Sequence, residues 1–223
     1  LLSPPLKLPT IYLQHLQKKL PRLISPMLTI LYIHGFASSG HSGTPQMLRQ
    51  MLYPQGVRVL SPDVPVMPAE AFPFLQNLVA QEHPDLIIGT SMGGFYAEQL
   101  RGVPRILVNP SFQTSRLLTF RGIGRREFLN KREDGTKDFK VDKTMIEQFK
   151  VIEKEAFKGI TATDKAMVWG CFGDKDESVN HQKDFLKHYD REHFILFEGG
   201  HRLNDKVLNH SILPVIKSVL GLS

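Results

Sequence analysis

The chain has 223 residues, of which 41% are hydrophobic and 22% are charged, a composition typical of a globular protein with one large core. No apolar run approaches the length of a membrane span, so we expect no stable membrane insertion. Cys171 is the only cysteine. It excludes an internal disulfide framework and predicts a reducing, cytoplasmic setting, with the thiol buried inside an apolar run.

The net charge of +6 at pH 7 is concentrated in residues 1–26, which contain four bases and no acid. Removing those four from the 28 bases of the chain leaves 24 against 22 acids. The remainder of the chain is therefore nearly balanced in charge. Because no basic stripe with interleaved aromatic residues stands out, we expect no nucleic-acid partner.

Residues 1–26 also contain five prolines and lack the apolar core of a secretory signal peptide. Met27 directly precedes the first predicted strand. Our preferred hypothesis is that Met27 is the natural start and that residues 1–26 are a non-native or flexible extension. A basic targeting segment or a surface helix around residues 11–23 is the alternative. We expect residues 27–223 to form a single domain.

From Leu28 onwards, short apolar runs alternate with helical patterns. Strands are predicted at residues 28–33, 57–60, 86–88, 105–108, 166–172 and 193–197. Helices are predicted at residues 44–53, 69–82, 143–157, 180–188 and 204–220, with a further helix beginning at Phe95 and with Pro214 kinking or splitting the last one. Such alternation predicts the α/β fold class, with a doubly wound, mostly parallel sheet of six strands and right-handed crossovers.

The sequence Gly89-Thr90-Ser91-Met92-Gly93 matches the pattern G-x-S-x-G between a predicted strand and a predicted helix. A sharp turn crowds its neighbours, and glycines without a Cβ let the strand and the helix approach. In this setting the pattern predicts a nucleophile elbow, which lifts the Ser91 hydroxyl above the sheet and aims the Met92 backbone N–H at the same space. The alternative is a solvated serine in a glycine-rich loop.

A histidine and a glycine, His34 and Gly35, follow the first predicted strand. Folds with such an elbow bind the oxyanion with two backbone N–H groups, and the second of these lies in a His-Gly turn after an early strand. We assign the second donor to the backbone N–H of Phe36, paired with the N–H of Met92. His34 should hydrogen-bond loop backbone rather than act as a base, because the strand end fixes its position. His34, Gly35 and Gly93 are our candidates for contacts with substrate.

Residues 112–165, between the fourth and fifth predicted strands, differ from the rest of the chain in their density of charge. Arginines and lysines cluster in the first part, and helical patterning returns at residues 143–157. The functional interpretation is a small helical cap over the active site, which would admit an acyl chain and attract an anionic leaving group. A solvated pair of surface helices is the alternative.

An acid and a histidine follow the last two predicted strands. Asp176 lies in the loop after the fifth strand, and His201 lies in the loop after the sixth. With Ser91 they occur in the order Ser, acid, His, and all three are expected at one edge of a parallel sheet. The pattern predicts a triad in which His201 is the general base and Asp176 orients the imidazole. Asp174 is the competing acid.

The motifs H-G-F-x-S-S, G-T-S-M-G-G-F-Y and G-G-H resemble those of the YqiA/YcfP-type esterases of the α/β-hydrolase superfamily. The likeness extends over most of residues 28–220. It implies a serine esterase or thioesterase that acts on small or acyl-chain substrates, with a compact sheet that lacks the usual first hairpin. The charged segment 112–165 departs from the family pattern, because it is longer than a minimal cap.

The expected reaction is a two-step acyl transfer, in which Ser91 attacks an ester or thioester carbonyl and water releases the acyl-enzyme. We expect a small-molecule acyl ester or thioester as substrate and no cofactor, and no spacing of His, Cys, Asp or Glu resembles a metal site. The alternatives are an acyltransferase or C–C bond hydrolase with the same triad, and a non-catalytic ligand-binding homologue. The sequence carries no signal for an oligomeric state.

Overall fold

The computed structural model describes residues 27–223, so the extension expected at residues 1–26 lies outside the described residues. The strands are β1 (Leu28–Ile33), β2 (Val57–Leu60), β3 (Leu86–Thr90), β4 (Arg105–Val108), β5 (Gly124–Glu127), β6 (Asp138–Val141), β7 (Val168–Gly173) and β8 (Phe194–Phe197). The helices are α1 (Gly43–Leu52), α2 (Pro68–Glu82), α3 (Met92–Gln99), α4 (Thr114–Arg121), α5 (Lys143–Glu153), α6 (Ala162–Lys165), α7 (Gln182–His188), α8 (Asp205–Val207) and α9 (Leu213–Leu220). Within the described residues, no helix combines the length and the apolar character needed to cross a membrane.

Six strands form one sheet in the order β2-β1-β3-β4-β7-β8, and every neighbouring pair is parallel. The register places Ile33 of β1 beside Gly89 of β3, and Thr90 of β3 beside Val108 of β4. Because parallel strands point the same way, the loops that follow them meet at one edge of the sheet. The prediction of a parallel, six-stranded α/β sheet is confirmed.

Both faces of the sheet are covered, which explains why its strands are nearly continuous apolar runs. Along β1, Leu31 and Ile33 enter one hydrophobic cluster, and Ile30 and Tyr32 enter another. Helices α2 to α5 and α7 contribute to the first cluster, whereas α1, α8 and α9 contribute to the second. Cys171 lies in the second cluster, and burial raises the pKa of its thiol to about 12. It is therefore a buried structural thiol, as the sequence predicts.

The insertion between β4 and β7 contains α4, the antiparallel hairpin β5–β6, α5 and α6. The sequence patterns do not predict the hairpin, because β5 has the short, polar sequence Gly-Arg-Arg-Glu and no apolar alternation. Helix α5 places Met145, Ile146 and Phe149 in the core. It ends at Glu153 rather than at the expected Phe157, which has a positive φ of 62° that a helix cannot contain.

The C-terminal helical region is interrupted where its proline predicts. Pro214 lies in the first turn of α9, directly after a π-helical stretch, Leu208–Ile212. Proline has no backbone N–H and its ring clashes with the preceding turn, so the regular hydrogen-bond ladder cannot run through it. The backbone therefore stays helical from Asp205 to Leu220, but its α-helical hydrogen-bond pattern is replaced by a π-helical one just before Pro214.

Candidate active site

Ser91 lies at the turn between β3 and α3. Its backbone has a φ of 55° and a ψ of −119°, a strained conformation for a residue with a side chain. Two backbone hydrogen bonds to β4 and the loop after it stabilise the turn. The Ser91 N–H donates to the Val108 carbonyl over 2.9 Å, and the Ser91 carbonyl accepts from the Ser111 N–H over 3.0 Å. The turn therefore has the geometry of a nucleophile elbow.

Two glycines allow this turn to fit between the strand and the helix. A Cβ on Gly89 would lie 2.2 Å from the Gly93 carbonyl oxygen, and a Cβ on Gly93 would lie 2.1 Å from the Ile33 carbonyl oxygen. Neither distance leaves room for a side chain. The glycines of the motif are thus explained by the close approach of β1, β3 and α3.

The His201 imidazole lies between Ser91 and Asp176. Its Nε2 is 2.9 Å from the Ser91 Oγ, and its Nδ1 is 2.7 Å from the Asp176 Oδ2. A carboxylate can only accept, so Nδ1 carries the proton and the neutral Nε2 accepts from the Ser91 hydroxyl. The structure brings these three side chains together although 110 residues separate Ser91 from His201.

The Asp176 carboxylate is held in place by its surroundings, and its side chain is 2% exposed. Its Oδ1 accepts from the backbone N–H groups of Ser178 and Val179, each over 2.9 Å. Burial alone would raise the pKa of Asp176, but hydrogen bonds from His201 and from the Val179 N–H outweigh it and hold the pKa below the ordinary value for aspartate. Asp176 is therefore an anion with a partner on each oxygen.

The competing acid, Asp174, lies in the same loop but has a different partner. It is exposed, and its Oδ1 accepts from the Gly199 backbone N–H over 2.9 Å. Asp174 thus connects the end of β7 to the loop after β8. The contact with the imidazole is made by Asp176.

Asn109 joins the two loops that carry the acid and the histidine. It follows β4 directly, is 2% exposed and has a positive φ of 44°. Its Oδ1 accepts from the Gly173 N–H over 2.8 Å, and its Nδ2 donates to the carbonyl oxygens of Gly200 and His201 over 3.1 Å each. The sequence patterns mark this position only as a strand end. Its signal is an amide directly after a buried strand, at the sheet edge where α/β sites form.

The backbone N–H groups of Phe36 and Met92 belong to residues that line the same cavity as Ser91. Neither N–H donates to a backbone acceptor among residues 27–223. Met92 is the first residue of α3, and the first N–H groups of a helix have no partner inside the helix. Both N–H groups can therefore donate to an oxyanion formed at Ser91.

The three candidates for substrate contacts occupy different positions. Gly35 lines the cavity, whereas His34 and Gly93 are buried and are not among the lining residues. His34 is 3% exposed, and its Nε2 accepts from the Val64 N–H over 3.0 Å. Its Nδ1 donates to the Gly35 carbonyl over 2.9 Å. His34 thus bonds loop backbone at both ring nitrogens.

The cavity around Ser91 and His201 has a volume of about 910 Å³. The insertion contributes apolar and charged residues to its lining, namely Leu117, Leu118, Arg121, Arg126, Glu127 and Leu129. The lining therefore combines apolar surface with two bases and one acid from the insertion. Among residues 27–223, His, Cys, Asp and Glu side chains form no group of three that could hold a metal ion.

Solved structures similar to this chain share its architecture. The α/β hydrolase domain-containing protein 10 from mouse has a TM-score of 0.63 at 15% identity, covering 90% of this chain and 92% of that chain. Est1E from Butyrivibrio proteoclasticus has a TM-score of 0.59 at 15% identity, with the same coverages of 90% and 92%. FphF, a fluorophosphonate-binding serine hydrolase from Staphylococcus aureus, has a TM-score of 0.57 at 16% identity, covering 88% and 85%. The chain therefore has the α/β-hydrolase fold.

The family follows from the sequence itself. Residues 29–217 match the family model of the uncharacterised protein family UPF0227. Because the match spans most of the chain, the protein belongs to this family. The assignment confirms the resemblance that the three sequence motifs indicate.

Proposed function

We propose that the protein is a serine hydrolase that cleaves carboxylic esters or acyl thioesters. The observation that carries the proposal is the unbroken series of contacts from the Ser91 hydroxyl through the His201 imidazole to the buried Asp176 carboxylate. This is the arrangement of a nucleophile, a general base and an orienting acid. The neighbour described as a fluorophosphonate-binding serine hydrolase supports the same reaction class.

In the first step, the Ser91 Oγ attacks the acyl carbonyl carbon while the His201 Nε2 takes the hydroxyl proton. The carbonyl π pair moves onto oxygen, which becomes the oxyanion of a tetrahedral intermediate. The backbone N–H groups of Phe36 and Met92 bind that oxyanion, and the negative charge of Asp176 stabilises the imidazolium. The low pKa of Asp176 keeps the carboxylate charged for this purpose.

In the second step, the bond to the leaving alcohol or thiol breaks, and the imidazolium donates its proton to the departing oxygen or sulfur. An acyl-enzyme ester at Ser91 remains. Water then attacks the ester carbonyl, His201 takes a proton from the water, and the same oxyanion donors serve the second tetrahedral intermediate. Collapse of that intermediate releases the acid and restores the Ser91 hydroxyl.

The insertion is proposed to act as a cap on a single domain of residues 27–223. Three leucines of the insertion, at positions 117, 118 and 129, line the cavity and supply apolar surface for an acyl chain. Arg121 and Arg126 line the same cavity together with the acid Glu127, and the net positive charge of the three favours an anionic leaving group. The Arg126 guanidinium also donates to the Arg121 and Gly122 carbonyls, which fixes the end of α4 beside the cavity.

The test is labelling by a fluorophosphonate probe together with hydrolysis of p-nitrophenyl esters and acyl thioesters of graded chain length. The wild-type protein should be labelled and active, and Ser91→Ala should lose both properties while keeping its fold. Ser111→Ala, which removes another hydroxyl that lines the cavity, should still be labelled. Hydrolysis that persists unchanged in Ser91→Ala would contradict the proposal.

A further inference from the structure

The direction of the Phe36 N–H is set by hydrogen bonds to its own peptide unit. The Gly35 carbonyl accepts from the His34 Nδ1 over 2.9 Å and from the Ser38 N–H over 3.2 Å. The peptide bond between Gly35 and Phe36 is trans, so its C=O and N–H point in opposite directions. Two donors on the carbonyl therefore turn the Phe36 N–H away from His34 and Ser38, and Phe36 lines the cavity that holds Ser91.

His34 donates to Gly35 only while its proton is on Nδ1. Val64 fixes that tautomer, because its backbone N–H donates to Nε2 over 3.0 Å and a backbone N–H cannot accept. Burial lowers the pKa of His34, which favours the neutral ring that this pair of hydrogen bonds requires. The position of Val64 thus controls the imidazole and, through it, the peptide unit of Phe36.

Arg132, in the insertion, holds Val64 from the other side. Its Nη2 donates to the Val64 carbonyl over 3.2 Å, and its guanidinium carbon lies 4.7 Å from the centroid of the Phe128 ring. Arg132 is 6% exposed. It lines a separate cavity of about 730 Å³ rather than the cavity that holds Ser91. Arg132 therefore acts on the site through other residues and not by contact with substrate there.

The residues around Arg132 bind the same two loops. Residues 128–133, which we call the anchoring segment, make three further hydrogen bonds that join the insertion to the loop after β1 or the loop after β2. They run from the Leu129 N–H to the Ala37 carbonyl over 2.7 Å, from the Asn130 Nδ2 to the Ser38 Oγ over 3.1 Å, and from the Glu133 N–H to the Asp63 Oδ2 over 2.6 Å. The anchoring segment thus stabilises the backbone on both sides of the His34–Val64 contact.

We propose that Arg132 is a positioning residue of the oxyanion hole. By holding the Val64 carbonyl, it keeps the Val64 N–H on His34. His34 in turn keeps the Phe36 N–H directed at the oxyanion. The inference rests on the proposed serine hydrolase function. It predicts a loss in kcat with little change in KM, because the Phe36 N–H binds charge that develops only in the transition state.

Two substitutions test the role of the hydrogen bond. Arg132→Met removes the donor and keeps most of the side-chain volume, whereas Arg132→Lys keeps a cation that can donate to Val64. We expect Arg132→Met to lower kcat for a p-nitrophenyl ester by about 10-fold, a part of the loss that follows removal of a whole oxyanion donor. Arg132→Lys should recover most of that loss. A trifluoromethyl ketone, whose adduct places an oxyanion in the hole, should bind Arg132→Met about 10-fold more weakly.

The matched control is Arg125→Met, because Arg125 lies in the same hairpin, pairs with Asp138 and has a side chain that is 77% exposed. Its kcat should equal that of the wild type. His34→Gln tests the route of the effect. Since Arg132 and His34 act on one peptide unit, the double variant should lose no more kcat than His34→Gln alone.

A folded Arg132→Met variant with unchanged kcat, or with an effect confined to KM, would overturn the positioning role. Fully additive losses in the double variant would overturn the route through His34. If Arg132→Met does not fold, Arg132→Leu, which also lacks a donor, takes its place with the same expected result. A wild-type protein that neither hydrolyses the ester nor is labelled by the fluorophosphonate probe would instead defeat the proposed function, so the two failures are distinguishable.

Discussion

The Asn109 side chain and the His201 backbone are joined by a hydrogen bond of 3.1 Å, which ties the loop of the proposed base to the end of β4. The same amide group donates to the Gly200 carbonyl, and the amide oxygen accepts from the Gly173 N–H at the end of β7. One buried side chain therefore holds the acid loop and the histidine loop at a fixed separation. We therefore expect the placement of the imidazole to depend on Asn109.

Asn109→Asp should lower kcat by about 10-fold or more and destabilise the protein by about 1–3 kcal/mol. The substitution keeps an acceptor for Gly173 and a residue that tolerates the positive φ, but it places a carboxylate against two carbonyl oxygens. Ester hydrolysis and urea unfolding measure the two effects. Asn209→Asp, at an exposed position, is the control. Wild-type kinetics in Asn109→Asp would show that the amide has no positioning role.

Asp176→Asn should lower kcat by about 10³- to 10⁴-fold. An amide in place of the carboxylate can donate to Nδ1, which favours the tautomer with its proton on Nε2 and removes the acceptor for the Ser91 proton. Asp174→Asn is the matched variant, and its amide oxygen can still accept from the Gly199 N–H. We expect its kcat to stay close to that of the wild type. Equal losses in the two variants would remove the distinction between the acids.

Gly93→Ala should destabilise the fold by about 3 kcal/mol or more, because its Cβ would lie 2.1 Å from the Ile33 carbonyl oxygen and the backbone would have to move. Gly43→Ala is the control, since it lies at the start of α1 and its Cβ would meet nothing within 4 Å. That change should alter stability by less than about 1 kcal/mol, in the stabilising direction. Thermal or urea unfolding compares them, and equal midpoints would contradict the steric argument.

The stability of the protein should fall as the pH drops below about 6.5, the ordinary pKa of histidine in an unfolded chain. Burial lowers the pKa of His34 in the folded protein, so the folded state binds fewer protons than the unfolded state between the two pKa values. The contribution of His34 to stability is complete above its pKa in the unfolded chain. It is lost as the pH falls through its lower pKa in the folded protein. His34→Gln should therefore flatten the dependence of the unfolding free energy on pH in this window.

Urea unfolding at several pH values measures that slope. His210→Gln, at an exposed position, serves as the control and should keep the wild-type slope. A His34→Gln variant with the same slope as the wild type would show that the ring does not remain neutral on folding.

The sheet and the proposed catalytic residues are predictable because their signals are local. β1, β3 and β4 are buried on both faces, so each is a mostly apolar run in the sequence. The turn at Ser91 needs glycines at fixed offsets, and these appear as a motif. Once the strands are parallel, the residues that follow them must share an edge, which places Asp176 and His201 without knowledge of any contact.

The supporting residues are not predictable in this way, because each depends on a partner that is distant in the chain. Asn109 bonds a carbonyl 92 residues away, and Arg132 bonds one 68 residues away. No periodicity connects such positions. The hairpin β5–β6 is similar, since its polar strands are defined by their pairing with each other and not by a hydrophobic face.

The anchoring segment also limits how this protein can be re-engineered. Its hydrogen bonds join the insertion to the loops after β1 and β2, although these three segments are far apart in the sequence. The three segments therefore depend on one another for their hydrogen-bond partners. An exchange of the insertion alone, intended to change which acyl chains are accepted, would leave the donors and acceptors of both loops without their partners. A chimera should instead carry residues 34–40, 61–65 and 112–165 from the same parent.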